Sequence, residues 1–239
     1  INIIKPLIIN LIKNKAKIII ISHLGRPKGQ ILADLSLQPI FEYFKKKISE
    51  KVFFYKGNID DEAINQTKKL KPGQILLFEN IRFFKEEENN DEKFAKKLSN
   101  LGEIYINEAF SCSHRKQASL DKITKFIDSY GGPNLEKEIN SIDMILKNKK
   151  KPISCIIGGS KVSTKISILS KLLEIANNLI IVGAMANNFI KYKGFEIGSS
   201  LVENHSENKI KEIYDLSKKN NCKIIVPVDV KTSLELNGT

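Results

Sequence analysis

Short runs of β-branched and aliphatic residues alternate with segments of helical periodicity along nearly all of this 239-residue sequence. Such alternation is typical of α/β proteins, in which right-handed crossovers connect parallel strands. We predict strands in the first half at 17–21, 52–55, 75–78 and 103–106, and in the second half at 153–157, 179–183 and 223–226. The segments between them predict helices at 36–48, 60–70, 91–101, 162–173, 185–191 and 206–219.

The chain is interrupted near its middle by Gly131, Gly132 and Pro133, a combination that breaks regular structure. An amphipathic helix is predicted just beyond it, at 136–147, and is followed by lysines and a proline. We therefore predict two α/β lobes with parallel sheets. The N-terminal lobe covers 1–133, a linker helix covers 134–151, and the C-terminal lobe covers 152–239.

Composition narrows the class of protein. Apolar residues make up 41% of the sequence, enough for hydrophobic cores, and no apolar run approaches the ~20 residues of a membrane span. The opening residues do not resemble a secretory signal. Cys112, Cys155 and Cys222 are scattered and odd in number, so neither a zinc site nor a disulfide framework is predicted. A reducing, cytoplasmic setting fits this pattern.

The formal net charge is +12, which could indicate a nucleic-acid surface. The positive residues are nevertheless spread along the chain, with only short runs such as 45–47 and 149–151. Asparagine and isoleucine are abundant too, and their codons, like those of lysine, are rich in A and T. We favour coding composition over a nucleic-acid surface as the origin of the charge.

Arginine is rare in this lysine-rich chain, occurring only as Arg26, Arg82 and Arg115. A planar, two-pronged donor is needed where carboxylate or phosphate is bound in a fixed orientation, and lysine cannot replace it there. Each arginine follows a predicted strand, at the sheet edge where α/β proteins bind ligands, and His23 and His114 lie beside two of them. Any one alone could form a surface ion pair, but the three together favour an anion site.

A glycine turn opens the second lobe. The apolar run 153–157 predicts a buried strand, and Gly158 and Gly159 then turn the chain into a helix. Lys161 and Lys165 are four residues apart, which predicts that they share one face of its first turns. Lysines are unfavourable at a helix N-terminus that has no acid of its own, and a bound phosphate would resolve the conflict. The alternative is a surface helix with two solvated lysines; the spacing is not that of a Walker A loop.

Motifs in the same order throughout the chain resemble those of phosphoglycerate kinases of the bacterial type. In the first lobe they are SHLGRP at 22–27, LLFENIRF at 76–83 and YINEAFSCSHRKQAS at 105–119. They continue with LEKE at 135–138, GGSKVSTKI at 158–166, the segments 180–189 and 198–203, and PVDV at 227–230. The resemblance covers nearly the whole chain.

The resemblance implies the phosphoglycerate kinase fold, with two Rossmann-like lobes joined by a linker helix. It also implies an activity: transfer of a phosphoryl group between ATP and the carboxylate of 3-phosphoglycerate, giving 1,3-bisphosphoglycerate and ADP. The residues that the motifs assign to phosphoglycerate binding are His23, Leu24, Gly25, Arg26, Arg82 and Arg115.

For the nucleotide, the resemblance assigns binding to Gly158, Gly159, Lys165 and Gly183. The catalytic residues it implies are Lys161 and Lys165, with Lys161 reaching the phosphoryl group in transfer. The expected partners are 3-phosphoglycerate and ATP or ADP, without nucleic acid or membrane, and the expected state is a monomer.

The family's pattern is expected to continue beyond both ends of the chain. An opening strand and loop would precede Ile1, and a segment with a nucleotide-binding glutamate and a glycine-rich loop near the metal would follow Thr239. Mg²⁺ is therefore expected to accompany ATP or ADP, with no metal ligand in this stretch. The stretch alone is not expected to be a competent kinase.

Four residues depart from the family's motifs. Ser111 stands in place of a glycine, and at a positive φ a serine would cost about 1–2 kcal/mol. Glu108 stands in place of an aspartate. Val182 and Ala184 stand where the family has glycines, so they are expected to crowd a nucleotide.

Three other interpretations remain open. A nucleic-acid-binding protein would interleave aromatic residues with a basic face, whereas the aromatic residues here fit a core. A dinucleotide oxidoreductase would need G-x-G-x-x-G at a helix start, and Gly158–Gly159 supplies only a pair. The third is a relic that keeps the fold and has lost the activity.

Overall fold

The computed structural model describes residues 1–148 and 151–233, which form two compact units. The first unit is Ile1–Ser141 and the second begins at Ile142, so the division falls inside a helix. The predicted lobe and linker boundaries remain predictions. Part of the lysine run at 149–151 and the last six residues of the predicted C-terminal lobe lie outside the described residues.

Eight strands and nine α-helices form in the described part of the chain, joined by short 3₁₀ turns. The strands are β1 (Ile18–Ile20), β2 (Val52–Tyr55), β3 (Ile75–Phe78), β4 (Ile104–Asn107), β5 (Asp128–Gly131), β6 (Ser154–Gly158), β7 (Asn178–Val182) and β8 (Lys223–Ile225). The helices are α1 (Lys5–Lys13), α2 (Gln38–Lys47), α3 (Asp61–Lys69), α4 (Lys85–Glu88), α5 (Glu92–Ser99), α6 (Pro133–Asn148), α7 (Ile166–Ile175), α8 (Ala184–Tyr192) and α9 (Glu207–Lys219).

The main sheet of the first unit is parallel, in the order β1–β3–β2. Its central strand β3 is buried at every position, as expected for a strand with neighbours on both edges and cover on both faces. Successive side chains point to opposite faces, so Ile75 joins the core beneath α1 and α2, while Leu76 and Phe78 join the core beneath α3 and α5. β1 and β3 pair in parallel from Ile18 with Ile75 to Ile20 with Leu77, so both strands end at the same edge of the sheet.

A second parallel pair, β4–β5, completes the sheets of the first unit. The strand β5 was not predicted, and only a chain break was expected at its end. The reason is physical, because the strand Asp128–Gly131 is exposed throughout and carries one large apolar residue, Tyr130, which is 60% exposed. A strand that buries nothing leaves no alternating pattern to detect.

The second unit has a parallel sheet in the order β6–β7–β8, with α7, α8 and α9 packed on it. Leu169, Leu179, Ile181 and Phe189 are fully buried in its core. The prediction of a buried strand at 153–157 was wrong in one respect: burial alternates along β6, and Ile156 is 71% exposed. Only one face of this strand packs against the core.

The predicted α/β class with parallel sheets is confirmed. All five strand pairings found among residues 1–148 and 151–233 are parallel. Within the same residues, no helix is both long enough and apolar enough to cross a bilayer.

Candidate functional site

The loops that follow β1 and β3 are joined by Asn80, which has no exposed surface. Its Nδ2 donates to the carbonyl oxygens of Leu24 at 2.8 Å and of Leu35 at 2.9 Å. Its Oδ1 accepts a hydrogen bond from the backbone N of Arg82 at 3.1 Å. Asn80 therefore fixes both loops relative to each other. This role was not predicted, and an amide side chain two residues before a rare arginine was its only signal in the sequence.

Arg82 is buried and held in a defined orientation, with only 4% of its surface exposed. Its Nη1 donates to the carbonyl oxygen of Gly25 at 2.9 Å, and its Nη2 donates to Oε1 of Gln117 at 3.3 Å. The Nε is buried with no hydrogen-bond partner in the described part of the chain, and no ion pair found there includes this guanidinium. A buried positive charge that forms no close ion pair is costly unless other negative charge compensates it.

Arg115 brings a second guanidinium to the same place. Its backbone N donates to the carbonyl oxygen of Cys112 at 2.9 Å, and Cys112 Sγ lies 3.8 Å from Nε2 of His23. The Nε of Arg115 is likewise buried with no partner among the described residues. Burial lowers the pKa of His23, and the charges of Arg82 and Arg115 lower it further. We call His23, Arg82 and Arg115 the basic cluster.

Two of the predicted residues lie apart from the basic cluster. Arg26 and His114 are exposed, and the structure gives neither of them a side-chain hydrogen bond or ion pair to any described residue. Leu24 and Gly25 are both exposed, and their backbone carbonyls accept hydrogen bonds from Asn80 and Arg82, as described above. The structure thus brings together two of the three arginines with one histidine, and the anion-binding role of all of them stays a prediction.

The protonation of His23 provides a direct test of the basic cluster. Because its pKa lies below the ordinary value near 6.5, His23 is neutral at pH 7 and gains a proton only on further acidification. The unfolded chain takes up that proton more readily, so this group makes the free protein less stable as the pH falls. A bound anion favours the protonated form. We therefore expect 3-phosphoglycerate to raise the pKa of His23 and to bind more tightly as the pH falls below 7.

This prediction is checked by NMR titration of the imidazole with and without 3-phosphoglycerate. His205, which is exposed and belongs to the second unit, is the internal control and should not respond to the ligand. An unchanged His23 titration at saturating ligand would contradict binding at the basic cluster.

A buried carboxylate, Glu87, anchors the segment that carries Arg115 and Gln117. Its Oε2 accepts from the backbone N of Ser119 at 2.9 Å, and its Oε1 accepts from Ser119 Oγ at 2.6 Å. Its backbone carbonyl accepts from Ala118 N at 3.0 Å. Burial raises the pKa of Glu87, while the bonds from Ser119 and the charge of Arg82 act in the opposite direction. In the sequence, Glu87 is one of three consecutive glutamates at 86–88, and nothing there distinguishes it from its neighbours.

Replacing Glu87 with alanine should lower the free energy of unfolding by about 2 kcal/mol, because the N–H and hydroxyl of Ser119 lose their acceptor. Urea unfolding followed by circular dichroism measures the change. Glu86→Ala is the matched control, since Glu86 is exposed in the same helix, and its effect should stay within about 0.5 kcal/mol. Equal unfolding midpoints for the two variants would contradict the anchoring role.

Two departures from the family motifs are resolved by the geometry. Ser111 is not among the described residues with positive φ, so the predicted backbone cost does not arise. The carboxylate of Glu108 accepts from the backbone N of Asn134 at 3.1 Å and also from its Nδ2, and so caps the first turn of α6. Gly132 lies against the Glu108 carboxylate, which leaves no space for a side chain there.

In the second unit, three glycines and one lysine lie together where β6 and β7 end. A Cβ placed on Gly159 would lie 2.9 Å from Cε of Lys165, so the lysine side chain passes directly over the glycine backbone. Gly183 has φ +66°, which favours glycine, and begins α8. The backbone N of Met185 donates to the carbonyl oxygen of Gly159 at 2.6 Å. Gly158 completes the turn at the end of β6.

The predicted placement of the two lysines needs correction. Lys161 lies in the coil before any helical turn, and Lys165 ends the 3₁₀ turn Ser163–Lys165 that precedes α7, so they do not share the first α-helical turns. The helix start has no acid of its own, as predicted, but an acid from elsewhere in the chain reaches it. Oε2 of Glu203, from a later loop, accepts a hydrogen bond from the backbone N of Ser163 at 3.0 Å.

Val182 occupies the space beside the glycine turn. A Cβ placed on Gly158 would lie 3.2 Å from Cγ2 of Val182, so the valine side chain packs against the end of β6. Ala184 is half-buried at the start of α8. Their predicted effect on nucleotide binding stays a prediction.

The fold and the arrangement of these side chains define a class: α/β proteins of two units whose parallel strands end in basic side chains, with a glycine turn in the second unit. Within that class the family is given by comparison. Residues 1–238 match the family model described as phosphoglycerate kinase. The chain belongs to the phosphoglycerate kinase family.

Named relatives agree with this assignment. The chain is 43% identical over 225 residues to a phosphoglycerate kinase of Wolbachia pipientis wMel, covering 94% of this chain and 56% of that relative. The solved structure of phosphoglycerate kinase from Coxiella burnetii matches with a TM-score of 0.81 at 34% identity, covering 100% of this chain and 61% of that one. The enzyme from Pyrococcus horikoshii OT3 matches with a TM-score of 0.76 at 27% identity, over 95% of this chain and 59% of that one. The chain spans about half the length of the curated relatives it matches.

Proposed function

We propose that the complete polypeptide containing this chain transfers a phosphoryl group between ATP and the carboxylate of 3-phosphoglycerate, giving 1,3-bisphosphoglycerate and ADP. The observation that carries the proposal is the buried, oriented guanidinium of Arg82, which forms no ion pair with any described acid. Family membership supports the reaction, and the basic cluster supports a small, multiply charged anion as its acceptor.

In this proposal the first unit holds phosphoglycerate. Arg82 and Arg115 donate charge-assisted hydrogen bonds to the phosphate or carboxylate, and several such bonds acting together orient a small trianion. Arg26 is exposed on the loop whose backbone Asn80 fixes, so its side chain is free to turn toward a ligand. His23 adds a positive charge when a bound anion raises its pKa.

The second unit holds the nucleotide in this proposal. Gly158, Gly159 and Gly183 allow close approach to backbone N–H groups, and Lys165 contacts the nucleotide phosphates. Lys161 stabilises the charge on the phosphoryl group during transfer. Phosphoryl transfer requires positioning and charge neutralisation more than covalent work, which suits lysines without a nucleophile beside them.

Mg²⁺ would accompany the nucleotide and neutralise phosphate charge when bound. The described residues contain no group of three His, Cys, Asp or Glu side chains that could hold a metal ion, so the proposal assigns its ligands to no residue of the described ranges. Cytoplasmic location is supported by three cysteines that are all free. A monomeric state is included on the strength of the family resemblance alone.

The proposal is tested on the complete polypeptide with 3-phosphoglycerate and MgATP, following 1,3-bisphosphoglycerate through a coupled dehydrogenase. Turnover that requires both substrates supports it. Absence of turnover with phosphoglycerate still bound would point to a nucleotide site spoiled at Val182 and Ala184. Absence of both turnover and binding would overturn the proposal and favour a relic that keeps only the fold.

A further inference from the structure

Glu203 supplies an acid to the turn that carries both candidate lysines. It comes forty residues after Ser163, in the loop between α8 and α9, yet its Oε2 accepts from Ser163 N at 3.0 Å. Its side chain is only 15% exposed. The hydrogen bond from Ser163 lowers the pKa of Glu203, and the nearby charge of Lys209 lowers it further, so the carboxylate is ionised at neutral pH.

The backbone of Glu203 is itself held in place by a buried amide. Its N donates to Oδ1 of Asn188 at 2.7 Å, and Asn188 is 2% exposed. The Nδ2 of Asn188 donates to the carbonyl oxygens of Ala184 and Met185, in the first turn of α8. Because Met185 N also donates to the glycine turn, one rigid helix start fixes both the turn and the acid that faces it.

The Glu203 carboxylate forms an ion pair with Lys209 and with neither candidate lysine. Its Oε1 lies 3.8 Å from Nζ of Lys209, whereas neither Lys161 nor Lys165 enters any ion pair with a described residue. Between the two lysines, Val162 is fully buried, and its carbonyl oxygen accepts from Lys165 N at 2.9 Å. The bond to Ser163 therefore orients a short rigid turn while both ammonium groups stay available.

We propose that Glu203 is a positioning residue that fixes the Lys161–Lys165 turn for contact with nucleotide phosphates. The inference rests on the proposed function and deepens it. Glu203 satisfies the N–H group of Ser163 that would otherwise attract a phosphate oxygen, and so leaves the lysine side chains as the groups that meet the nucleotide. It does not itself touch the nucleotide.

The test uses the complete polypeptide labelled with ¹⁵N, and the variants Glu203→Gln and Glu203→Ala. Glu196→Gln is the matched control, since Glu196 is exposed in the same loop and the structure gives it no hydrogen bond or ion pair to a described residue. The first readout is the amide shift of Ser163 against pH without any ligand. In wild type and in the control, we expect the Ser163 amide shift to change with pH as the Glu203 carboxylate gains a proton. In both Glu203 variants this change should be absent.

The second readout is the dissociation constant for ADP, measured by calorimetry beside that for 3-phosphoglycerate. We expect Glu203→Ala to weaken ADP binding about tenfold, Glu203→Gln to recover most of it because the amide oxygen still accepts from Ser163, and phosphoglycerate binding to stay unchanged. Circular dichroism and urea unfolding identify any variant that fails to fold. If Glu203→Ala fails to fold, the Ser163 amide shift and the ADP affinity of Glu203→Gln decide the test.

The outcomes separate the two proposals. A wild-type protein that does not bind ADP would overturn the proposed function and with it the role of Glu203. Wild-type ADP binding that Glu203→Ala leaves unchanged would overturn the positioning role alone. Tighter ADP binding in both Glu203 variants would mean that the carboxylate competes with a phosphate for Ser163 N. That result would also overturn the positioning role.

Discussion

Replacing Lys161 with methionine in the complete polypeptide should lower kcat about 100- to 1,000-fold, with little change in KM for either substrate. Lys161 is exposed directly after the glycine turn, and no described residue pairs with its Nζ. A group that neutralises charge mainly in the transition state acts on kcat rather than on ground-state binding. Methionine keeps an unbranched side chain of similar length and removes the ammonium group, with its charge and its N–H donors. Steady-state assays with each substrate varied in turn measure the effect.

Lys171→Met is the matched control for this prediction. Lys171 is exposed on α7, in the same unit, and also has no ion pair with a described residue. Its replacement removes the same charge from the unit without touching the glycine turn, so kcat should stay within about twofold of wild type. Comparable losses in the two variants would show that net charge, rather than the position of Lys161, controls turnover.

Replacing Arg82 with lysine should weaken binding of 3-phosphoglycerate at least 10-fold, equivalent to about 1.4 kcal/mol or more. Lysine keeps the charge but cannot donate in two directions at once, to Gly25 O and to Gln117 Oε1, while presenting further N–H groups to a ligand. The lost contact also leaves the buried amide oxygen of Gln117 without its donor. Calorimetric titration of the complete polypeptide measures the change.

Two comparisons test whether the effect of Arg82→Lys is specific to phosphoglycerate binding. The affinity of the same variant for ADP should match wild type, because the glycine turn belongs to the other unit. Arg82→Met, which removes the charge as well, should bind phosphoglycerate more weakly than Arg82→Lys. An unchanged phosphoglycerate affinity in Arg82→Lys would count against a two-pronged contact at this position.

Sequence reasoning located elements well where burial is strong and two-sided. The prediction at 75–78 coincides with β3 because a central parallel strand needs an apolar residue at every position. It failed where a strand buries nothing, as in Asp128–Gly131, and it overestimated the burial of β6, where Ile156 faces outward. In both cases the pattern was read from the strand alone, while its exposure depends on what packs against it.

The residues of the candidate sites also fall into two groups, those that the sequence indicates and those that it does not. The scarcity of arginine in a lysine-rich chain is a signal that the sequence alone carries, and it singled out Arg26 as well as Arg82 and Arg115, although only the last two lie together. The residues that orient them, Asn80, Glu87 and Gln117, carry no such signal, because their roles depend on partners 32 to 56 residues away. Glu203 was missed for the same reason, since its contact with Ser163 spans 40 residues.

Gln117 accepts a hydrogen bond from Arg82 but, as an amide, brings no negative charge to it. This affects the stability of the folded protein in a cell. Arg82 forms no ion pair with a described acid and interacts with the Glu87 carboxylate only from a distance, so the folded state is less favourable than it would be with a carboxylate in the place of the amide. Any dianion captured there restores stability by mass action. The fraction of this protein that is folded, and so escapes proteolysis, would then rise and fall with the supply of phosphorylated metabolites.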